Sequence, residues 1–370
     1  MPYLEKIVVQ DFRNIELQEL SFSPNVNCIS GGNGEGKTNL LDAIWYLSMT
    51  KSAFSPSDQF VFRHGTRSFA LSGLYHMENG TESRFSIQVS KDGEAPEKKL
   101  RRDDKACRRV SEHIGLLPIV MVSPADVSMV SESGDERRRF VNSVLSQMYP
   151  EYLASIQQYN RILAQRNRMI KSGMADEDLL TTFDEGLTKY AGPVHEARKA
   201  FISELEPLVQ EFYGAISGGR ETVGIEYRSC LLKGGLMDIL REHREQDAFF
   251  KYTTAGIQRD DFLFTMDGHA IRRCGSQGQQ KSFLVALKFA QYEVMKRSYG
   301  FPPMLLLDDL FDKLDMGRVS NLLQMVSGSE FGQIFLTDSN KVRISGIVDA
   351  LTADRTYIEA AGGAFVKKDE

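Results

Sequence analysis

G-G-N-G-E-G-K-T, running from Gly31 to Thr38, matches the pattern G-x-x-x-x-G-K-[ST] at every fixed position. Glycines let a backbone curl until several N–H groups point at one anion. In such a loop Lys37 reaches the β- and γ-phosphates of a nucleotide and the Thr38 hydroxyl holds Mg²⁺. The flanks agree. Val26-Asn27-Cys28-Ile29 reads as a strand entering the loop, and Leu40, Leu41, Ile44, Trp45 and Leu47 recur at helical spacing after it. A helix N-terminus there adds its partial positive charge. The stretch predicts an α/β ATPase fold. Gly31, Gly32, Asn33, Gly34, Glu35, Gly36, Lys37, Thr38 and Asn39 are expected around the phosphates.

A phosphate loop needs a metal-organising carboxylate on a neighbouring strand. Met304-Leu305-Leu306-Leu307-Asp308-Asp309 offers an apolar strand ending in two acids. Asp308 is expected to hold Mg²⁺, and Asp309 to orient or deprotonate the attacking water. A third element, Ser276-Gln277-Gly278-Gln279-Gln280-Lys281, precedes a helix with apolar positions Phe283, Leu284, Leu287 and Ala290. Alone it reads as a capped helix. Beside a complete first loop, this second anion-binding helix start points to a γ-phosphate presented by another subunit.

The 370 residues leave room for one large or two ordinary domains. A formal charge of −5 gives no global nucleic-acid signature, so any DNA contact must come from local basic patches. Cys28, Cys107, Cys230 and Cys274 form no C-x-x-C pair, which argues against zinc or a disulfide framework and suits a reducing cytoplasm. No stretch approaches the roughly 18 apolar residues of a membrane span, and the N-terminus lacks a signal-peptide run.

The texture is mixed β and α up to residue 122, with strands around Ile7-Val8-Val9, across Phe69 to Val89, and within Leu116 to Val122. From Glu136 to Phe212 the period is helical, and two helices are expected to pair as a hairpin or small bundle. Gly192-Pro193 is expected to kink or interrupt the second. After Lys251 β/α texture returns, with a hairpin at Met266-Asp267-Gly268 flanked by strands to Thr265 and from His269 to Arg272. The organisation predicted is a split ATPase domain, 1–122 plus 250–370, around a helical insertion, 123–249.

Several of these motifs together resemble the RecF family of SMC- and ABC-related ATPases. The match includes D-F-R-N (Asp11 to Asn14), S-P-A-D (Ser123 to Asp126), R-R-R-F (Arg137 to Phe140), A-Q-R-N (Ala164 to Asn167), Q-R-D-D-F (Gln258 to Phe262), S-Q-G-Q-Q-K and L-L-L-D-D. The resemblance implies a two-lobed head, with the phosphate loop in one lobe and the signature and acidic strand in the other. It implies an ATP-induced homodimer with each ATP between Lys37 of one subunit and Ser276 of the other, where Gly278 and Gln279 also belong. Arg13 resembles the family arginine near the phosphates, Asp315 the aspartate at the dimer seam, and Thr337 stands where ABC ATPases place a switch histidine. The implied work is weak DNA-stimulated ATP hydrolysis in DNA repair, recombination, replication and the SOS response to DNA damage. Gapped or junction DNA, RecR and RecO are the implied partners. Lys313-Leu314-Asp315 departs from the family's glutamate-leucine-aspartate, and Asp309 stands where ABC ATPases carry glutamate, which fits slow hydrolysis. An ABC-type subunit or an SMC-like head of another DNA-maintenance complex is the alternative.

Lys98, Lys99, Arg101, Arg102, Lys105, Arg108 and Arg109 crowd one short stretch. They suit a phosphate backbone, with Arg101, Arg102, Arg108 and Arg109 the candidate DNA contacts, or else a solvated loop. Arg161, Gln165 and Arg168 share one face of the insertion helix with Arg166 nearby, and could track phosphates or simply solvate it.

Overall fold

The computed structural model describes residues 1–91, 96–131, 134–173, 176–309, 331–340 and 354–368. In chain order the first elements are β1 (Tyr3–Phe12), β2 (Ile15–Ser21), β3 (Val26–Ser30), α1 (Lys37–Met49), β4 (Ser68–His76), β5 (Glu82–Ser90), β6 (Glu97–Arg102), β7 (Lys105–Ala106) and β8 (Ile119–Val122). Then come α2 (Ser128–Ser131), α3 (Gly134–Met148), α4 (Pro150–Ser172), α5 (Glu177–Ser217), β9 (Val223–Arg228), α6 (Leu236–Glu242) and α7 (Arg244–Phe250). The rest are β10 (Asp261–Met266), β11 (His269–Ala270), α8 (Ile271–Cys274), α9 (Gln277–Tyr299), β12 (Met304–Leu307), β13 (Ile334–Asp338), β14 (Arg355–Ala361) and β15 (Ala364–Lys368). No helix among the described residues is long and apolar enough to cross a membrane.

Two compact units result. One joins Met1–Asp126, Ala215–Ser217 and Gln291–Glu370; the other joins Val127–Gly214 and Gly218–Ala290. The first break falls close to the expected residue 122, but residues 250–290 group with the helical stretch rather than with the ATPase unit. Their partners explain it. β10 pairs along its whole length with β9, and Arg137 on α3 bonds Asp261 at 2.8 Å. The acidic strand β12 differs in the other direction: it lies with the phosphate loop, not with Ser276.

In the first unit an antiparallel sheet runs β2-β1-β4-β5-β6-β7 and a second sheet runs β15-β14-β3-β13-β12-β8. β4 and β5 alternate, burying Phe69, Leu71 and Tyr75, then Phe85, Ile87 and Val89. β3, β8, β12 and β13 are buried at every residue, as parallel strands covered on both faces must be. α1 packs on strands of both sheets. Its buried surface therefore extends beyond the stripe read from sequence to Ala43, Tyr46 and Met49. Phe12, Tyr46 and Phe69 meet edge-to-face at 5.2–5.9 Å in this core.

In the second unit α3 precedes the expected helix pair, and Pro150 at the first position of α4 starts the new helix. α5 continues for 41 residues through Pro193 and Pro207, so of the two outcomes expected at Gly192-Pro193, a kink or an interruption, the interruption does not occur. An interior proline costs roughly 3 kcal/mol. Burying a Leu, Val or Phe contributes about 1.5–3 kcal/mol each, and Leu187, Val194, Phe201, Leu205 and Val209 are all buried. The hairpin turn forms at Asp267-Gly268, both at positive φ. β11 then stops at Ala270, and Ile271 and Arg272 begin the short α8 instead of extending the strand.

Candidate nucleotide site

Two glycines of the 31–38 loop could be nothing else. Gly36 caps α1 at φ 107°, and a Cβ there would lie 2.9 Å from the Asn14 side chain. At Gly31 a Cβ would lie 2.5 Å from the Ala360 carbonyl oxygen. No side chain caps the N-terminus of α1, so its first N–H groups are left for an anion. The loop is braced from two sides. Asn39 Nδ2 donates to Asn14 Oδ1 at 2.7 Å. On the other side the Gly362-Gly363 turn between β14 and β15 donates both its N–H groups to Glu35: Gly362 to the carboxylate, Gly363 to the backbone oxygen at 3.0 Å. Lys37 is 4% exposed, and its Nζ donates to the carbonyls of Gly31 at 2.8 Å and Gly32 at 3.0 Å. That places the ammonium over the loop's hollow with a third proton to give.

Sheet register brings the acids to this loop. Leu307 pairs with Leu336, and Leu336 with Cys28, so the carboxyl ends of β12, β13 and β3 lie side by side. Ligands of open α/β sheets bind at that edge. Thr38 Oγ1 donates to both Asp308 oxygens, at 2.9 and 3.0 Å. Thr337, on the intervening strand β13, donates to Asp308 Oδ1 at 2.8 Å and accepts the Asp309 N–H at 2.9 Å. Asp309 sits at φ 40°, a left-handed conformation that turns the chain sharply after the strand. Burial raises the Asp308 carboxyl above its ordinary value despite its bonds from Thr337 and Thr38, and the neighbouring Asp309 charge adds to the rise. A buried carboxylate with a threonine hydroxyl beside it is an all-oxygen donor pair of the kind Mg²⁺ takes along with waters and phosphate oxygens.

Arg13 occupies the β1–β2 turn at φ 53°. Its guanidinium bonds Asp42 of α1 at 2.7–2.8 Å, Ser52 at 3.0 Å and Ser55 at 2.9 Å. Asp42 is fully buried, and burial raises its carboxyl although the Arg13 charge opposes the rise. Asp42 is a site residue that the sequence reading does not name. Its signal is an acid inside the apolar run Leu40-Leu41-Asp42-Ala43-Ile44. Such an acid persists only with a partner.

Ser276 lies in the second unit, where it begins α9 with a reciprocal cap. Its N–H donates to Gln279 Oε1 at 2.8 Å, and its hydroxyl accepts the Gln279 N–H at 3.3 Å. Gln279 also donates to Glu221 at 2.7 Å. Gly278 gives its carbonyl to the Ser282 hydroxyl at 3.0 Å. Asp315 lies outside the described residues.

The basic patch divides. It covers β6, β7 and the segment after them at the edge of the antiparallel sheet. Lys98 is committed inward, bonding the Thr50 carbonyl and Asp58 beneath the Tyr46 ring. Arg102 lies over the Phe85 ring and bonds Ser83 at 3.3 Å. Arg101, Arg108 and Arg109 are exposed. In the second unit Arg161, Gln165 and Arg168 are exposed too, but Arg166 is fully buried and salt-bridged to Asp184 and Asp247 at 2.6–2.7 Å, so it does not track a surface phosphate. R-R-R-F and Q-R-D-D-F meet through Arg137–Asp261 and through Arg138 to the Asp260 carbonyl. Both motifs are structural within this unit.

Comparison with known proteins agrees with this geometry. The family model for the RecF/RecN/SMC N terminal domain matches residues 3–352. A "DNA replication and repair protein RecF" of Bacteroides fragilis is 40% identical over 368 residues, covering 99% of each chain. The protein of that name from Flavobacterium johnsoniae is 38% identical over 350 residues, covering 94% of this chain and 96% of its own. A solved structure of the recombination mediator protein RecF-ATP in the RecFOR pathway superposes with a TM-score of 0.89 at 27% identity, covering 100% of this chain and 98% of its own. An Smc head domain from Pyrococcus furiosus, 15% identical with a TM-score of 0.59 and covering 100% of this chain and 97% of its own, shares the fold. With its phosphate loop, its acidic strand and a family match over nearly the whole length, the chain belongs to the RecF family within the SMC/ABC-type ATPases.

Proposed function

We propose that this chain is an ATP-driven switch of DNA replication and repair. ATP and Mg²⁺ bind at Lys37, Thr38 and Asp308, two ATP-loaded chains pair, and the pair holds DNA at gaps or single-strand/double-strand junctions in the cytoplasm. Hydrolysis is weak, and it releases the pair. Recombinase loading with RecR and RecO is the assigned task. One observation carries the reading: Thr38 and the Thr337-supported Asp308 meet at the carboxyl edge of the sheet, beside Lys37 and an uncapped helix start.

The residues divide the work. Lys37 neutralises the β- and γ-phosphates, and the loop's N–H groups hold them. Asp309, turned sharply after β12, orients the attacking water. Arg13, fixed by Asp42, adds positive charge near the phosphates. Ser276, Gly278 and Gln279 are offered to the nucleotide of the second chain. The reciprocal cap of α9 supports that role, because it fixes the Ser276 backbone while further N–H groups at the helix start remain to be used.

Light scattering with and without ATP and gapped DNA tests the switch. ATP is expected to double the particle mass of the wild type. Ser276→Arg should bind ATP with nearly wild-type affinity yet stay monomeric and hydrolyse little. Normal pairing and turnover in Ser276→Arg would mean an ATPase that works within one chain.

A further inference from the structure

Glu35 is an acid inside the loop that must hold a triphosphate. A carboxylate so placed repels phosphate by its charge. Its bonds lead elsewhere. The side chain accepts the Gly362 N–H, and the Glu35 backbone oxygen accepts the Gly363 N–H at 3.0 Å. Both donors belong to the turn between β14 and β15. They sit at φ 59° and 85°, conformations that glycine adopts without strain. Side chain and backbone of one loop residue are therefore tied to one turn.

The turn is itself held. β14 runs beside the strand that delivers the phosphate loop, with Ile358 opposite Ile29 and Glu359 opposite Ser30. Gly31 packs so closely on Ala360 that a Cβ would lie 2.5 Å from its carbonyl oxygen. A Cβ at Gly363 would overlap the Asn14 carbonyl oxygen, and the Asn14 side chain lies against Gly36 and bonds Asn39. Beyond the turn, the Gln18 amide bonds both the N–H and the carbonyl of Phe365 at 3.0 Å, fixing β15 to β2. Gly362 and Gly363 thus present their N–H groups from a fixed wall. A loop tied to such a wall loses less freedom when phosphate arrives.

We propose that Glu35 is a positioning residue for the nucleotide: tied to the Gly362–Gly363 turn, its side chain holds the loop in its phosphate-accepting shape. The turn near the end of the chain is then an outer wall of the nucleotide site and sets its affinity. This rests on the ATP-binding role of the loop proposed above. A Glu35 that acted only through its charge would have the opposite effect, since removing an acid beside a triphosphate tightens binding.

The test is equilibrium titration of the full chain with ATP and Mg²⁺ at fixed ionic strength. Glu35→Ala should weaken ATP about tenfold, the loss of one hydrogen bond to a charged group. Glu35→Gln is neutral but still accepts the Gly362 N–H, so it should stay within about threefold of wild type. Gly363→Ala pushes the turn off Asn14 and should weaken ATP as Glu35→Ala does. The double variant should be within about twofold of the weaker single one, because both changes cut the same tie. In a phosphate-release assay KM should rise by more than kcat falls, a split that general damage to the fold would not give. If Gly363→Ala fails to fold, the Glu35 pair decides alone. Equal or tighter ATP binding by Glu35→Ala overturns the proposal. So does failure of Glu35→Gln to restore affinity, or additive losses in the double variant. Wild type and Lys37→Ala serve as controls. If wild type binds no ATP, or Lys37→Ala binds it normally, the nucleotide reading falls and this proposal with it; if both controls hold, the failure belongs to Glu35 alone.

Discussion

Thr337→Val tests the geometry most directly, because the residue is buried, nearly isosteric with valine, and makes no contact with nucleotide in the proposed scheme. Its hydroxyl does two things at once. It donates to Asp308 Oδ1 at 2.8 Å and accepts the Asp309 N–H at 2.9 Å. Valine removes both bonds. A hydrogen bond to a charged group is worth about 1.5–3 kcal/mol, and an N–H left without its acceptor costs about 1–3 kcal/mol. Relaxation and the added methyl return part of this, leaving a net loss of about 2–4 kcal/mol. For a unit of this size that lowers the melting temperature by roughly 5–12 °C. Turnover should fall further than stability predicts, since Asp308 loses one of two hydroxyls that aim it and Asp309 loses its anchor. Thr337→Ser, which keeps the hydroxyl, should recover most of both losses. Melting is followed by circular dichroism and turnover by phosphate release. If Thr337→Val melted within about 1 °C of wild type and hydrolysed ATP normally, the hydroxyl would not organise the acids.

The remaining expectations follow from the same geometry. Lys37→Ala removes a charge-assisted bond to phosphate and should weaken ATP binding about 10–150-fold in an equilibrium titration, whereas wild-type affinity would dismiss the loop assignment. Asp308 should tie stability to pH. Its folded value is raised above the ordinary 3.8, so its stabilising contribution is complete below that value and is lost as pH rises through the raised one. Asp308→Asn should therefore stabilise the metal-free protein relative to wild type by an amount that grows as pH rises above 3.8 and levels off above the raised value, while abolishing Mg²⁺-dependent ATP binding, and a pH-independent difference in melting temperature would count against a buried, ionising Asp308. Reversing Arg101, Arg108 and Arg109 to Glu should lower the slope of log affinity against log salt by roughly 0.9 for each duplex phosphate that is no longer neutralised. An unchanged slope would move DNA elsewhere on the surface. Lys98→Ala should act on stability instead, because its ammonium is spent on Thr50 and Asp58.

Local sequence carries the phosphate loop, the acidic strand end and the long apolar stripe, because each is encoded by neighbours in the chain. Gly31 to Thr38 needs only its own spacing to be read, and Phe183 to Phe212 only its period. Residue groups joined across long separations are not legible. Nothing near Glu35 announces that Gly362 and Gly363 will bond it, and nothing near Arg13 names Asp42. The unit boundary fails for the same reason: residues 250–290 look like β/α sequence, but β10 finds its partner in β9. Arg166 misleads because its neighbours are those of a charged, solvated helical run, while three partners on other elements bury it.

The position of β3 in its sheet has a consequence for synthesis. The phosphate-loop strand lies between β13 and β14, so its two neighbours come from residues 334–338 and 355–361, more than 300 positions later in the chain. The hairpin turn that bonds Glu35 is made later still, at Gly362 and Gly363. A growing chain that has just displayed Gly31 to Thr38 thus holds the sequence of a nucleotide site without its walls. While the ribosome makes the intervening residues, the motif is an unsupported strand that cannot pair where it belongs. Nucleotide capture is in effect a sign that the last strands have docked.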